Sequence, residues 1–276
     1  MTTTDHGTSF YFFDFDDNIM FLGTKVRVRN RIDGSIKEVF THTFAEIRNS
    51  LGSPGEWADY EQFSDTYSNF GDRDPGSLQP GEEQSLVADV REAIGSGGTA
   101  WQAPSWPLLQ YACAKQRPTA IVTARSHSAD TIKAAIRVLV EAKLLEAEPL
   151  YLGIYAVNNA AMKTDLVTGL PTAAKARFDA GKDVTSDLKR VAINRFVDQA
   201  AQDFGRDKPH RFGMSDDDPM NVDLIVKAMC DCKKRYLHMR FFVIDTHKDE
   251  HVKLEVFPAD YPVVGKPFPG VYRAGE

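Results

Sequence analysis

The sequence predicts an α/β fold in which a parallel sheet is flanked by helices. Three observations point to it. Phe10-Tyr11-Phe12-Phe13 and Thr119-Ala120-Ile121-Val122 are short apolar runs. They lack the alternation of a half-exposed strand, as expected of strands buried on both faces. Apolar residues recur at helical spacing between later strands, at Ile132, Ile136, Leu139 and Val140, and again at Ala192, Ile193, Phe196, Val197, Ala200 and Phe204. Carboxylates cluster directly after two strands, in Asp14-Phe15-Asp16-Asp17-Asn18 and Ser215-Asp216-Asp217-Asp218. Open α/β sheets bind their ligands at that edge.

The elements follow in order. After the first strand and its acidic loop, Lys25-Val26-Arg27-Val28-Arg29 and Ile36-Lys37-Glu38-Val39 alternate strictly around Asp33-Gly34. That is a β-hairpin. Its Lys25, Arg27, Arg29 and Arg31 share one face, either a solvated surface or a basic flap that attracts anions. Residues 43–98 are rich in Gly, Pro, Ser, Asp and aromatics, and predict short helices and loops, with one better helix near 82–94. The aromatics between Trp57 and Phe70 are expected to pack this segment. Residues 106–114 read as helix and 119–122 as a second buried strand, ending at Thr123-Ala124-Arg125. A helix follows from Ser128, a suitable N-cap. Residues 150–157 suggest a third strand. A long helix starts at Ser186, Arg211-Phe212-Gly213-Met214 is a short strand, and a helix continues to Cys232. Two closing strands are expected at 241–244 and 252–257. The stretch 158–184 has no readable pattern. Strand, insertion, then alternating strands and helices is the order of an α/β sandwich.

Composition narrows the function. The chain has 276 residues, 42% apolar and 26% charged, enough to bury a core without staples. Its net charge of −6 argues against a general nucleic-acid binder, which carries a basic excess. Three cysteines, Cys113, Cys230 and Cys232, make neither a disulfide framework nor a paired zinc motif, and suit a reduced, cytoplasmic setting. No run reaches the length of a membrane span. The polar start from Met1 to Ser9 lacks the features of a signal peptide. The seven histidines show no ligand spacing, and His127 is the only one close to a candidate site residue.

The chemistry lies at the strand ends. Asp14 and Asp16 sit roughly 200 residues from Asp216 and Asp217, yet parallel strands bring all their C-terminal ends to one edge. Carboxylates gathered there repel one another unless a cation lies among them, and hard oxygen ligands suit Mg²⁺, which usually meets phosphate. Thr123 adds a hydroxyl beside a helix start, where anions bind. A lysine near a helix start, Lys189, supplies positive charge, with Lys182 and Lys208 as rivals. Arg125 reads either as a substrate contact or as a surface ion pair. Pro219 suits the first turn of a helix and Asp218 its N-cap, which leaves Asp216 and Asp217 on the loop as metal candidates.

In these motifs the chain resembles the haloacid dehalogenase-like superfamily of phosphotransferases and hydrolases. That family has an apolar strand followed by D-x-D, a strand ending in Thr or Ser, a lysine opening a helix, and a strand ending in an acidic pair. The matching residues are Asp14-Phe15-Asp16-Asp17-Asn18, Thr123, Lys189 and Ser215-Asp216-Asp217-x-x-x-Asn221. Asp17 stands where many members have Gly, and Asn18 where Thr is commoner. The resemblance implies a Rossmann-like core at 1–22 and 100–276. It places a β-hairpin flap and a mostly helical cap at 23–99. It implies Asp14 as nucleophile, Asp16 as general acid and base, and Thr123 and Ala124 on the substrate phosphate. Lys189 would steady both nucleophile and phosphate, and Asp14, the backbone carbonyl of Asp16, Asp216 and Asp217 would hold Mg²⁺. The expected activity is phosphomonoester hydrolysis of a small phosphorylated molecule through an aspartyl-phosphate. A phosphotransferase or mutase would use the same chemistry with another acceptor. A non-catalytic binding protein on the same fold is the alternative from a different class.

Overall fold

The phenylalanine-rich first strand lies in the middle of the sheet. The computed structural model describes residues 6–247 and 252–257. In chain order, β1 (Ser9–Phe13) is followed by the hairpin β2 (Lys25–Asn30) and β3 (Ile36–Phe40), helix α1 (Thr41–Ile47) and a two-residue strand β4 (Tyr60–Glu61). Next come α2 (Ser85–Gly95), α3 (Trp106–Ala114), β5 (Pro118–Thr123), α4 (Ala129–Glu141) and β6 (Leu150–Ala156). The chain continues through α5 (Ala160–Val167), α6 (Thr172–Asp179), α7 (Thr185–Phe204), β7 (Arg211–Asp216), α8 (Pro219–Arg235), β8 (Arg240–Asp245) and β9 (Val252–Val256).

The main sheet has the order β6-β5-β1-β7-β8-β9. Its first five strands run parallel and β9 closes one edge antiparallel. This is the order of a doubly wound, Rossmann-like sheet, with the reversal of direction between β1 and β7. Alternation along β1 divides the core. Phe10 and Phe12 pack with Ala120 and Val122 against α7 and α8, through Phe196, Val197, Ile225 and Met229. Phe13 packs with Ile121 on the opposite face against α2, α3 and α4, through Leu86, Trp106, Leu109 and Ile136. Both faces being covered explains why β1 and β5 read as unbroken apolar runs. Ser128 caps α4 by accepting from Thr131 N at 3.2 Å, as its place in the sequence predicts. No helix among the described residues is long and apolar enough to cross a membrane.

The segment 23–99 differs from the mostly helical cap that the resemblance implies. The hairpin forms as expected, and Gly34 takes the positive φ of 74° that its turn requires. With β4 it makes a three-stranded sheet, β3-β2-β4. The seven-residue α1 packs on that sheet through Phe44 and Ile47, which join Val26, Val28, Val39 and Phe70 in a small core of their own. The longer helix of this segment, α2, instead packs on the main core beside α4. Turns and two short 3₁₀ helices fill most of 48–84, because Gly, Pro and Asp interrupt any helical period there. Two short helices, α5 and α6, occupy the unread stretch 158–184. Residues 1–5, 248–251 and 258–276, assigned to the core by the sequence reading, lie outside the described residues.

Candidate active site

The reversal point of the sheet is where the acidic clusters meet. Phe13 is in register with Ser215, and Asp14 N donates to Ser215 O at 3.1 Å. Asp14 therefore stands beside Asp216 at the C-terminal edge. One carboxylate oxygen from each of Asp14, Asp216 and Asp217 lies within 4.8 Å of the others, with Asp14 and Asp216 buried and Asp217 half-buried. Lys189, in the first turns of α7, enters this group from the helix layer. Its Nζ is 3.0 Å from Asp216 Oδ2 and 3.2 Å from Asp14 Oδ1, and the residue is 1% exposed. Its sequence rivals stand elsewhere. Lys182 is exposed, and Lys208 lies against Gly205, past the end of α7.

One ammonium facing three carboxylates leaves negative charge in excess. Burial pushes the Asp14 carboxyl up to about 8, against the pull of Lys189, and the Asp216 and Asp16 charges add to the rise. Burial likewise lifts Asp217 to about 9, helped by Asp216 and Asp14. Burial opposes the charge on Lys189, but Asp14 and Asp216 together hold it above the ordinary lysine range. The buried Asp14 Oδ1 has no donor in hydrogen-bonding geometry. This all-oxygen donor set, three carboxyls against one ammonium, could hold a hard divalent cation once the carboxyls lose their protons.

The surrounding loops fix these groups. Asp216 Oδ1 accepts from Asp218 N and Asn221 Nδ2, both at 3.1 Å. Asp218 caps α8 by accepting from Met220 N at 2.9 Å, with Pro219 in the first turn, as its sequence position predicts. It also receives Arg48, which follows α1, at 2.9 Å and 3.1 Å. The small inserted sheet is thus tied to the acidic loop.

After β1 the chain makes one tight turn. Ile19 N and Met20 N both donate to Phe15 O, and Asp17 N donates to Met20 O. Asp17 takes φ 54°. Asp is among the few side chains that tolerate this left-handed region. Its carboxyl is raised by burial, while a hydrogen bond with Thr41 lowers it. Asn18 is fully buried, receives Ser215 Oγ at 2.9 Å and donates to Thr246 Oγ1 at 3.0 Å. It pins the turn to the ends of β7 and β8, a role its sequence position did not reveal. Asn18→Ala removes the partner of both hydroxyls in a buried place and should destabilise the protein by about 1–3 kcal/mol. Urea unfolding of the two proteins measures this, and unchanged midpoints would refute it.

Asp16 does not join the three converging carboxylates. Its side chain takes a two-point contact from Arg125, with Nε to Oδ2 at 2.8 Å and Nη2 to Oδ1 at 2.6 Å. Arg125 is fully buried, so of its two sequence readings the ion pair is present, but beneath the surface and not on it. The available signal was its place, two residues beyond a wholly buried strand. Thr123 is buried at the end of β5, and its Oγ1 accepts from Arg125 N at 3.2 Å. Ala124 is exposed, and its carbonyl accepts from Asn158 Nδ2 at 2.8 Å. His127 is buried 3.3 Å from Ser85 Oγ. Burial and the Arg125 charge push its pKa down to about 4, so it is a neutral packing residue at pH 7. On the hairpin, Arg29 pairs with Glu61 and Arg27 with Glu38, while Lys25 lies over Phe40. Much of the basic stripe is therefore neutralised locally.

The arrangement brings a buried carboxylate, a buried ammonium, a cation-ready acidic pair and a strand-end hydroxyl to one edge. Comparison with protein-family models, with curated proteins and with solved structures gave no match.

Proposed function

We propose that the chain is a Mg²⁺-dependent phosphomonoester phosphatase of the haloacid dehalogenase-like superfamily, with Asp14 as nucleophile and a small phosphorylated molecule as substrate. The observation that carries this reading is the meeting of Asp14, Asp216 and Asp217 around Lys189 at the point where the strand order reverses. Thr123 and Asp16 belong to the strand end and loop beside it.

In this reading, a carboxylate oxygen of Asp14 attacks phosphorus and the bond from phosphorus to the ester oxygen breaks. Asp16, which must enter this step protonated, gives its proton to that leaving oxygen and is left as the carboxylate that pairs with Arg125. Water then attacks the aspartyl-phosphate while Asp16 takes back a proton, and phosphate departs from Asp14. Lys189 offsets the charge of Asp14 and Asp216 throughout. Thr123 Oγ1 already accepts from Arg125 N, which leaves the hydroxyl proton for a phosphoryl oxygen. Asp14, Asp216, Asp217 and the backbone carbonyl of Asp16 would hold Mg²⁺, which would neutralise phosphoryl charge when bound. The inserted sheet, tied to the site through Arg48 and Thr41, is the part placed to select the rest of the substrate.

Phosphate release from a broad phosphomonoester panel tests this, with Mg²⁺ or EDTA. Wild type should release phosphate only with the metal. Asp14→Asn should be slower by on the order of 10⁴-fold or more, as for loss of a nucleophile. Activity that survives Asp14→Asn would remove Asp14 from the role.

A further inference from the structure

We propose that Arg125 is the positioning residue of Asp16, holding that carboxylate in the orientation from which it serves both half-reactions; the inference rests on the phosphatase reading above. Three observations lead to it. First, the contact is two-pronged, with Nε and Nη2 each on a different oxygen of Asp16. A planar guanidinium gripping both oxygens fixes the plane and the direction of the carboxylate, which a point charge does not. Second, the pair is unequal in burial. The Arg125 side chain is 0% exposed and that of Asp16 is 17% exposed. Burying an ion pair is a poor source of stability, because desolvation offsets the attraction. An arginine sunk beneath a carboxylate that stays partly exposed makes sense as an aiming device.

Third, the arginine is itself immobilised from several directions. Nη2 also donates to Thr24 Oγ1 at 2.9 Å, and Thr24 in turn bonds Asp89 of α2. The guanidinium lies 4.8 Å from the centre of the Phe70 ring. The next residue, Ser126, donates to Phe70 O from its N at 2.8 Å and from its Oγ at 3.1 Å. The backbone of Arg125 meanwhile orients the Thr123 hydroxyl. One residue therefore aims the two groups that flank the phosphoryl group in the proposed reaction. The supports come from the inserted segment and from α2, so the aim of Asp16 depends on the insertion being seated on the core.

A misdirected Asp16 affects proton transfer and leaves the nucleophile intact. Arg125→Met and Arg125→Lys of the full chain are compared with wild type. The substrates are p-nitrophenyl phosphate, whose leaving group needs no proton, and the best alkyl phosphomonoester from the panel. On the alkyl ester, Arg125→Met should lose about 10²-fold in kcat, the effect of a small misplacement, with KM within about twofold. On p-nitrophenyl phosphate, mixing experiments should show a burst of one p-nitrophenol per site and a phosphoryl adduct on Asp14 by mass spectrometry. In that variant attack proceeds while hydrolysis stalls. Arg125→Lys keeps the charge without the fork and should fall between the two, which guards against a misfolded Arg125→Met. Equal slowing on both substrates with no burst in either variant, or kcat unchanged in both, overturns the positioning role while leaving the phosphatase reading in place. Absence of Mg²⁺-dependent release by wild type overturns both.

Discussion

Lys189→Met should strongly destabilise the site and, on the proposed function, abolish phosphate release. The lysine is buried between Asp14 and Asp216, and removing one partner of a buried pair costs about 3–5 kcal/mol because the remaining charge is left uncompensated. Activity should fall by at least about 10³-fold, since a fixed positive group facing the reacting carboxylate and phosphate is lost. Urea unfolding without metal measures the first effect, and phosphate release the second. The double variant Lys189→Met with Asp14→Asn should recover part of the stability, because it removes a stranded carboxylate. That non-additivity marks the two as direct partners. A loss of stability for Lys189→Met below about 1 kcal/mol would mean that the ammonium is not holding the acidic group together.

The second large effect is stabilisation by Mg²⁺, with a definite dependence on pH. Asp14 and Asp217 are raised in the folded protein to about 8 and about 9, against an ordinary aspartate value near 3.9. Between those limits the folded state binds more protons than the unfolded one. The metal-free protein therefore loses stability as the pH rises from about 4 toward 8. A bound cation needs the carboxylates ionised, so its affinity rises over the same window. At one hundred times the dissociation constant, Mg²⁺ adds about 2.7 kcal/mol, or roughly 5 °C in Tm for a chain of this size. At a fixed Mg²⁺ concentration the shift in Tm should be larger at pH 8 than at pH 6, and EDTA should abolish it at both. Equal shifts at the two pH values would contradict the raised carboxylates. No shift at either would contradict the cation site.

Much of this architecture was legible because its causes are local. β1 and β5 carry no polar alternation, so only a sheet covered on both faces suits them. Asp218 and Pro219 mark the start of α8 by N-cap and first-turn chemistry, which leaves Asp216 and Asp217 as the acidic candidates on the loop. Lys189 could be proposed because it opens a long amphipathic helix. Other features depend on distant partners. The Arg125–Asp16 contact joins residues far apart in the chain, and nothing near either one names the other. Asn18 looked like a departure from a family pattern, and only the neighbouring ends of β7 and β8 show what it bridges. The inserted segment is not mostly helical, because its small core joins Val26, Val28 and Val39 of the hairpin to Phe44 and Ile47 of a seven-residue helix and to Phe70. Beyond the alternating hairpin, none of these pieces shows a sustained period. α5 and α6 were unreadable for a related reason: few of their residues reach the core.

The central place of β1 has a consequence for synthesis. Both of its neighbours are made later, and the residue just before it, Thr8, bonds to His210, 202 positions further on. A ribosome adding about 5–20 residues per second needs roughly 10–40 s to cover that distance. Throughout that interval an apolar, phenylalanine-rich segment lies outside the ribosome without its second partner. The strand that leads into the proposed nucleophile is thus made before both of its neighbours and is completed only when the later one has been made.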